Sequence, residues 1–285
     1  MNDLARKERR YVPTILSKTY FPSHDENRMR NEGDVKSARN NFLQNRFRNL
    51  EWLLRSRYEW MNEYINANDV VYEIGCGAGF SPLYLKVKPI LTDIIENEWV
   101  DKIIDAQKMD IEDCSIDVLI ASNNIHHFAT PFNFFNEALR VLKPSGRLII
   151  QEINTSLCMR ILLRIMRHEG WSYEPDVFDK TAIVNDPRDP WSANCAVPQM
   201  LFNDTTNFEE KIKNEFGSFK FLLNNPCEFL LFPVSGGVIA KTKVPELPAW
   251  LLNAIESFDS ILTKLAPNFF ALERQVVLQK VPQGA

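Results

Sequence analysis

A chain of 285 residues, 45% hydrophobic and 25% charged, has the make-up of a globular protein able to bury a full core. That excludes a disordered tail protein, a collagen-like fibre and a small disulfide scaffold. With 33 Lys/Arg against 37 Asp/Glu the net charge is −4, a poor basis for general nucleic-acid binding.

The charge is uneven. Residues 1–60 hold 13 Lys/Arg and 8 Asp/Glu, which reads first as a solvated helical arm and second as an arm folded over an anionic ligand. Residues 1–37 are polar and broken by Pro13 and Pro22. The opening MNDLARKERR lacks the apolar core of a secretory signal. Over 37–67 the residues Phe42, Phe47, Leu50, Leu53, Leu54, Tyr58 and Met61 recur at helical spacing. An apolar run, VVYEIG, then suits a buried parallel strand. Further strands are expected at 89–92, 117–122 and 147–152, with helical stretches between them. That alternation argues for a doubly wound parallel sheet.

Beyond Glu152 the rhythm breaks into a basic-apolar helix (158–167) and a Trp/Pro/Asp-rich region. A helix at 207–216, a strand at 219–223, a long helix at 245–265 and a final strand at 274–280 follow. The last strand must pair with the sheet, so one sheet with insertions is the expected organisation. The longest apolar stretch, 229–240, is interrupted by Pro233 and Gly236-Gly237 and is too short to span a bilayer. The five cysteines lie 32 or more residues apart without a C-x-x-C pair. Reduced thiols in a soluble cytoplasmic protein are the expectation, with no metal site.

The most informative segment is VYEIGCGAGF, residues 71–80. A strand leads into glycines 75, 77 and 79, where the backbone can turn with φ > 0 and a ligand can reach main-chain N–H groups. A helix is expected from Ser81. A dinucleotide fingerprint would need glycine at 80, where Phe80 stands. Glu73 beside the loop would repel a pyrophosphate and suits a ligand carrying an ammonium and a sulfonium. Asp93, twenty residues after Glu73, closes the next strand and reads as a ribose anchor or as a helix N-cap.

VYEIGCGAGF, Thr92-Asp93, DAQKMDIEDCSIDVLIASNNIHHF (105–128) and RVLKPSGRLIIQE (140–152) resemble four successive motifs of class I S-adenosylmethionine-dependent methyltransferases of the type-11 kind. The resemblance implies a Rossmann-like α/β fold with a seven-stranded mixed sheet and helices on both faces. Residues 1–68 would form an N-terminal helical arm and 69–285 the methyltransferase domain, with a lid insertion at about 155–205. It further implies that Glu73, Gly75, Cys76, Gly77 and Gly79 surround the methionine part of S-adenosylmethionine. Asp93 would bind the ribose, Asp105 and Ala106 the adenine, and Ser122 and Asn123 the cofactor floor; S-adenosylhomocysteine is the implied product. Two departures, Asp110 for a proline and Ser145 for a glycine, fall in turns. Segments after residue 168 are similar to the C-terminal extension of a bacterial subgroup.

Candidate catalytic groups follow from position at the strand ends. His126 and His127, after the fourth strand, read as a base or as packing; Glu152 ends the fifth strand; His168 and Glu169 lie past the basic helix. Trp171, Tyr173, Trp191 and Asn194 are candidates for the acceptor wall. Arg160, Arg164 and Arg167 share a helix face that reads as solvated. SNNI in place of an N-P-P-Y tetrapeptide argues against the adenine- and amide-N-methyltransferases that carry it. The expected reaction is methyl transfer to a small-molecule or sugar-like acceptor, at oxygen, by a monomer or homodimer with no nucleic-acid partner. The competing readings are a silent S-adenosylmethionine-binding scaffold and an NAD-dependent oxidoreductase.

Overall fold

The computed structural model describes residues 16–22, 35–167, 169–238 and 243–283. In chain order these form β1 (Thr19–Tyr20), α1 (Val35–Asn45), α2 (Arg48–Tyr58), β2 (Val71–Ile74), β3 (Ile90–Asp93), β4 (Lys102–Ile103), β5 (Ile116–Ser122), α3 (Pro131–Val141) and β6 (Leu142–Ile153). There follow α4 (Leu157–Met166), β7 (Trp171–Ser172), α5 (Val197–Phe202), α6 (Thr205–Lys211), β8 (Lys213–Asn214), β9 (Gly217–Cys227), α7 (Leu231–Ser235), α8 (Ala249–Leu265), α9 (Pro267–Phe270) and β10 (Glu273–Val281). No helix among the described residues is long and apolar enough to cross a membrane.

The main sheet runs β4-β3-β2-β5-β6-β10-β9-β8. The pairings from β4 to β6 are parallel, and β10 is antiparallel to both its neighbours. Among the described residues the sheet has eight strands rather than the expected seven, because two-residue β8 adds an edge. Alternate side chains feed two cores. Tyr72, Ile74, Leu119, Leu148, Ile150 and Val276 pack toward Phe134, Phe135, Phe202 and Phe208 of α3, α5 and α6. Val71, Val118, Ile120, Ile149 and Val277 pack toward Leu50, Leu53 and Leu54 of α2 and Leu252 of α8.

Three expected helices differ. The one expected at 207–216 is α6, which ends at Lys211 before β8. The 37–67 helix is broken at Arg46, whose φ is +48°, and continues as α2 and a 3-10 turn, Glu59–Glu63. After the glycines the expected helix is one 3-10 turn, Ser81–Leu83. The chain has only residues 75–89 to cross to the parallel β3, and the loop itself takes six of them. Segment 154–205 forms a third apolar cluster around Trp171, Met159 and Leu163. Residues 16–22 clasp it: Tyr20 pairs with Trp171 in β1–β7, and the Trp171 indole donates to the Ser17 carbonyl at 3.0 Å.

Ser145, where the similar family commonly has glycine, is exposed and sits at φ +64°. A side chain in that region costs about 1 kcal/mol or more. Ser145→Gly is therefore expected to raise unfolding stability by about 0.5–1 kcal/mol, net of glycine's greater unfolded-state entropy. Urea unfolding reads this, and a less stable variant would contradict it.

Candidate active site

β2 delivers the chain into three left-handed turns, with φ of +61°, +50° and +61° at Gly75, Gly77 and Gly79. A Cβ on Gly75 would fall 2.7 Å from Asn124 Nδ2, and one on Gly79 would fall 2.5 Å from Trp99 Cδ1. One on Gly77 would meet nothing within 4 Å. The outer glycines are thus required by packing, and the middle one opens a cradle to a ligand. The loop is held from several sides. Gly77 N–H donates to Asp93 Oδ2 at 2.9 Å, and Ile95 N–H donates to Asp93 Oδ1 at 3.0 Å. The Trp99 indole donates to Gly77 O at 2.8 Å. Arg39 of α1 donates from Nη1 to the carbonyls of Ala78 and Gly79 at 2.5 and 2.7 Å.

A cavity of about 1320 Å³ opens at the carboxyl edge of the parallel strands. Gly75, Cys76, Gly77, Asp93, Asp105, Ala106, Ser122 and Asn123 line it, as do His126 and His127. Glu73 and Gly79 are not in its wall. Glu73 is 1% exposed and lies behind the loop, where it accepts from the Ser81 hydroxyl. Burial pushes its carboxyl up to about 7, against the lowering by the Ser81 and Tyr58 hydroxyls. Gly79 makes room for Trp99. Asp105 is exposed at the rim, where its Oδ1 accepts from Gln107 N–H at 2.8 Å.

The same cavity is lined by His126, His127, Glu169 and Trp191. His126 Nδ1 lies 2.6 Å from Glu152 Oε1, while Glu152 Oε2 accepts the Asn124 and Ile125 amides at 3.1 and 2.7 Å. Glu152 is fully buried outside the cavity wall, so it holds His126 rather than touching an acceptor. Burial disfavours a charged His126, yet Glu152 and Glu169 outweigh it and hold the ring's pKa well above its ordinary value. Burial, with the charge on His126, pushes His127 down to about 4. His168 lies outside the described residues.

Several other candidates have structural jobs. Trp171 is fully buried and does not reach the cavity. Asn194 bonds the Ser172 backbone at both ends, 2.8 and 3.0 Å, and also lies outside the cavity wall. Arg160 donates to Tyr173 Oη at 2.9 Å, and Arg164 stacks over Tyr20 with 4.4 Å to the ring centroid, so these two are covered by aromatics while Arg167 is exposed. The basic arm acquires roles through Arg39 and through Arg57 of α2. Arg57 is bidentate to Glu228 at 2.8 and 2.6 Å and reaches Glu273 at 2.8 Å. Arg57 and Glu273 line the cavity. Burial raises the Glu273 carboxyl to about 8, with Arg57 opposing. No motif marks these partners, which come from α2, the end of β9 and β10. Asn124, also outside the sequence expectation, lines the cavity with a buried Oδ1 that has no partner among the described residues, while its Nδ2 donates to Ile74 O.

Residues 72–150 match the family model described as a methyltransferase domain. Over those residues the chain carries a methyltransferase domain. Its matched segment runs from β2 into β6 and so contains the glycine loop, Asp93 and both histidines. Among solved structures it is similar to an S-adenosylmethionine-dependent methyltransferase from Archaeoglobus fulgidus, with 18% identity over 80% of this chain and 93% of that one and a TM-score of 0.48. It is similar as well to one from Methanosarcina mazei, with 14% identity over 79% and 99% and a TM-score of 0.42. No curated protein matches the chain. The cavity fits the donor on this structure's own features: a cradle at Gly77 that a Cβ would fill, carboxylates at Asp93 and Asp105, and the unpartnered Asn124 Oδ1.

Two outcomes follow for the acids. Asp93→Ala removes charge-assisted acceptors and is expected to weaken S-adenosylhomocysteine by about 1–3 kcal/mol in calorimetry; unchanged affinity would take Asp93 out of the site. Glu73, raised from about 4.3 when unfolded to about 7 when folded, binds its proton more tightly in the folded state. Its contribution is thus most favourable below pH of about 4.3 and declines as pH rises toward about 7. Glu73→Gln should flatten that slope and be the more stable protein at pH 8 in urea unfolding. A slope identical to the wild type would contradict the assignment.

Proposed function

We propose that this domain transfers a methyl group from S-adenosylmethionine to a hydroxyl of a small, sugar-like acceptor bound at the histidine end of the cavity. The observation that carries the reading is the continuity of the cavity from the glycine loop and Asp93 to His127, Glu169 and Trp191. At about 1320 Å³ it exceeds the roughly 300–1,000 Å³ of a typical single-ligand site, so donor and acceptor fit together. Its described walls carry Asp93, Asp105, Glu169, Asp186, Asp189 and Glu273 against Lys36, Arg57 and His126. That excess of acids favours a cationic donor and a neutral acceptor over a polyanion, which supports a small molecule rather than nucleic acid. A cytoplasmic setting goes with five unpaired cysteines.

When bound, the donor supplies an electrophilic methyl group on a sulfonium with a good leaving group. The chain's part is to position and to exclude water. Asp93 keeps its two amide bonds and has further lone pairs for both ribose hydroxyls. Ala106 and Asp105 flank the adenine, Asn124 Oδ1 accepts from the ammonium, and Ser122 and Asn123 form the floor. Segment 155–205, through Met159, Leu163, Pro190 and Trp191, serves as the lid over the acceptor. The acceptor's proton leaves toward His127 and Glu169, the proton-accepting groups at that end, while Glu152 positions His126.

The test is transfer of labelled methyl from the donor to a panel of small alcohols, sugars and amines, with RNA and protein as separate substrates. Label on hydroxyl oxygen of a small molecule is expected. His127→Ala should lower turnover by about 100-fold or more with S-adenosylhomocysteine affinity unchanged. Label confined to RNA, or binding of NAD in place of the adenosyl ligands, would overturn the reading.

A further inference from the structure

His126, His127 and Glu169 turn one ligand atom each toward a common point in the cavity wall, all within 4.8 Å of one another. His126 Nε2 is 3.8 Å from Glu169 Oε2, and His127 Nε2 is 3.8 Å from Oε1. That is too long for a hydrogen bond, which spans about 2.7–3.2 Å. It lies closer to the roughly 3.4 Å edge of a tetrahedron built on metal bonds of about 2.1 Å.

The remaining ring nitrogens are tied from behind. His127 Nδ1 meets the Ser192 carbonyl at 3.1 Å. A carbonyl only accepts, so the hydrogen is on Nδ1 and the Nε2 lone pair faces the cavity. Glu152, 2.6 Å from His126 Nδ1, imposes the same tautomer on a neutral His126. A carboxylate or carbonyl behind each imidazole is the outer arrangement that orients metal-binding histidines. Glu169 is steadied by the Cys195 thiol, which donates to Oε2 at 3.2 Å. His126 itself is 3% exposed. Adjacent histidines and a glutamate 42 residues later match no ligand spacing, which is why the sequence pointed to no metal.

We infer that His126, His127 and Glu169 bind one divalent first-row transition-metal ion, with its remaining coordination positions open to the cavity. Two imidazoles and one carboxylate suit Zn²⁺, Co²⁺, Ni²⁺ or Fe²⁺ better than Ca²⁺ or Mg²⁺, which take oxygen ligands. The consequence for the acceptor rests on the function proposed above: with the ion bound, the His127 and Glu169 lone pairs are spent as ligands, and a hydroxyl on an open position becomes acidic enough to lose its proton to water instead. Ion binding itself does not depend on that reading. The competing occupant of the same space is a proton on His126 shared between the two carboxylates, in which case no ion enters.

The test uses the full chain stripped with a chelator, without donor or acceptor, titrated with Co²⁺ by visible absorption and with Zn²⁺ by equilibrium dialysis and elemental analysis. One ion per chain is expected. His127→Ala and Glu169→Gln should abolish it, and Glu152→Gln should weaken it by about 10–100-fold. All three variants should keep wild-type affinity for S-adenosylhomocysteine, which shows that they fold. No stoichiometric binding by the wild type, or binding indifferent to His127→Ala and Glu169→Gln, overturns the inference. Failure of the ion to bind while S-adenosylhomocysteine still binds leaves the proposed donor site standing.

Discussion

The bond from the Gly77 amide to the Asp93 carboxylate ties the loop leaving one strand to the tip of its neighbour, at 2.9 Å. Cys76 adds a second tie, its amide donating to Thr92 O at 2.9 Å. With these in place the loop is held in a left-handed conformation that glycine adopts at little steric cost, so its shape exists before a ligand arrives. Arg39 and Trp99 complete the frame from outside the sheet. Everything on the cavity side then follows from strand order. β2 lies between β3 and β5, which brings Asp93, the glycine loop and the Ser122–Asn124 corner to one edge.

The frame also explains where charge is tolerated. Among the charged side chains that line the cavity acids outnumber cations, and the arginines nearest to them are already engaged. Arg57 is spent on Glu228 and Glu273, and Arg39 on main-chain carbonyls. A buried guanidinium between two carboxylates is favourable only with all its partners present, since removing one leaves an uncompensated charge. The excess of basic residues at the front of the chain is therefore partly structural: α1 and α2 bring two arginines inward to hold the loop and the floor.

How much of this was readable in the sequence depended on how local each feature is. β2, β3, β5 and the later part of β6 appear as apolar runs because parallel strands are buried on both faces, whereas β10 shows only Val276, Val277 and Leu278 between polar residues. The same property hid the direction of Glu73, since every residue of β2 is buried and alternation gives no outer face. Asp93 and the glycines were legible because their partners lie within a strand–loop–strand unit. The break at Arg46 and the short 3-10 turn after Phe80 were not, because both reflect how far the chain must travel to its next packed position. Arg57 with Glu228, separated by 171 residues, and Glu169 with the two histidines meet only through the tertiary fold. No periodicity or motif carries them.

The central claim is that one cavity holds the adenosyl donor against Asp93 and aims its reactive end at the paired histidines. A crystal structure with S-adenosylhomocysteine tests this most directly. The account predicts both ribose hydroxyls within about 3 Å of the Asp93 carboxylate, adenine beside Ala106, and the thioether sulfur turned toward His127 and Trp191. A ligand seated away from Asp93, or with its sulfur pointing away from the histidine end, would contradict it.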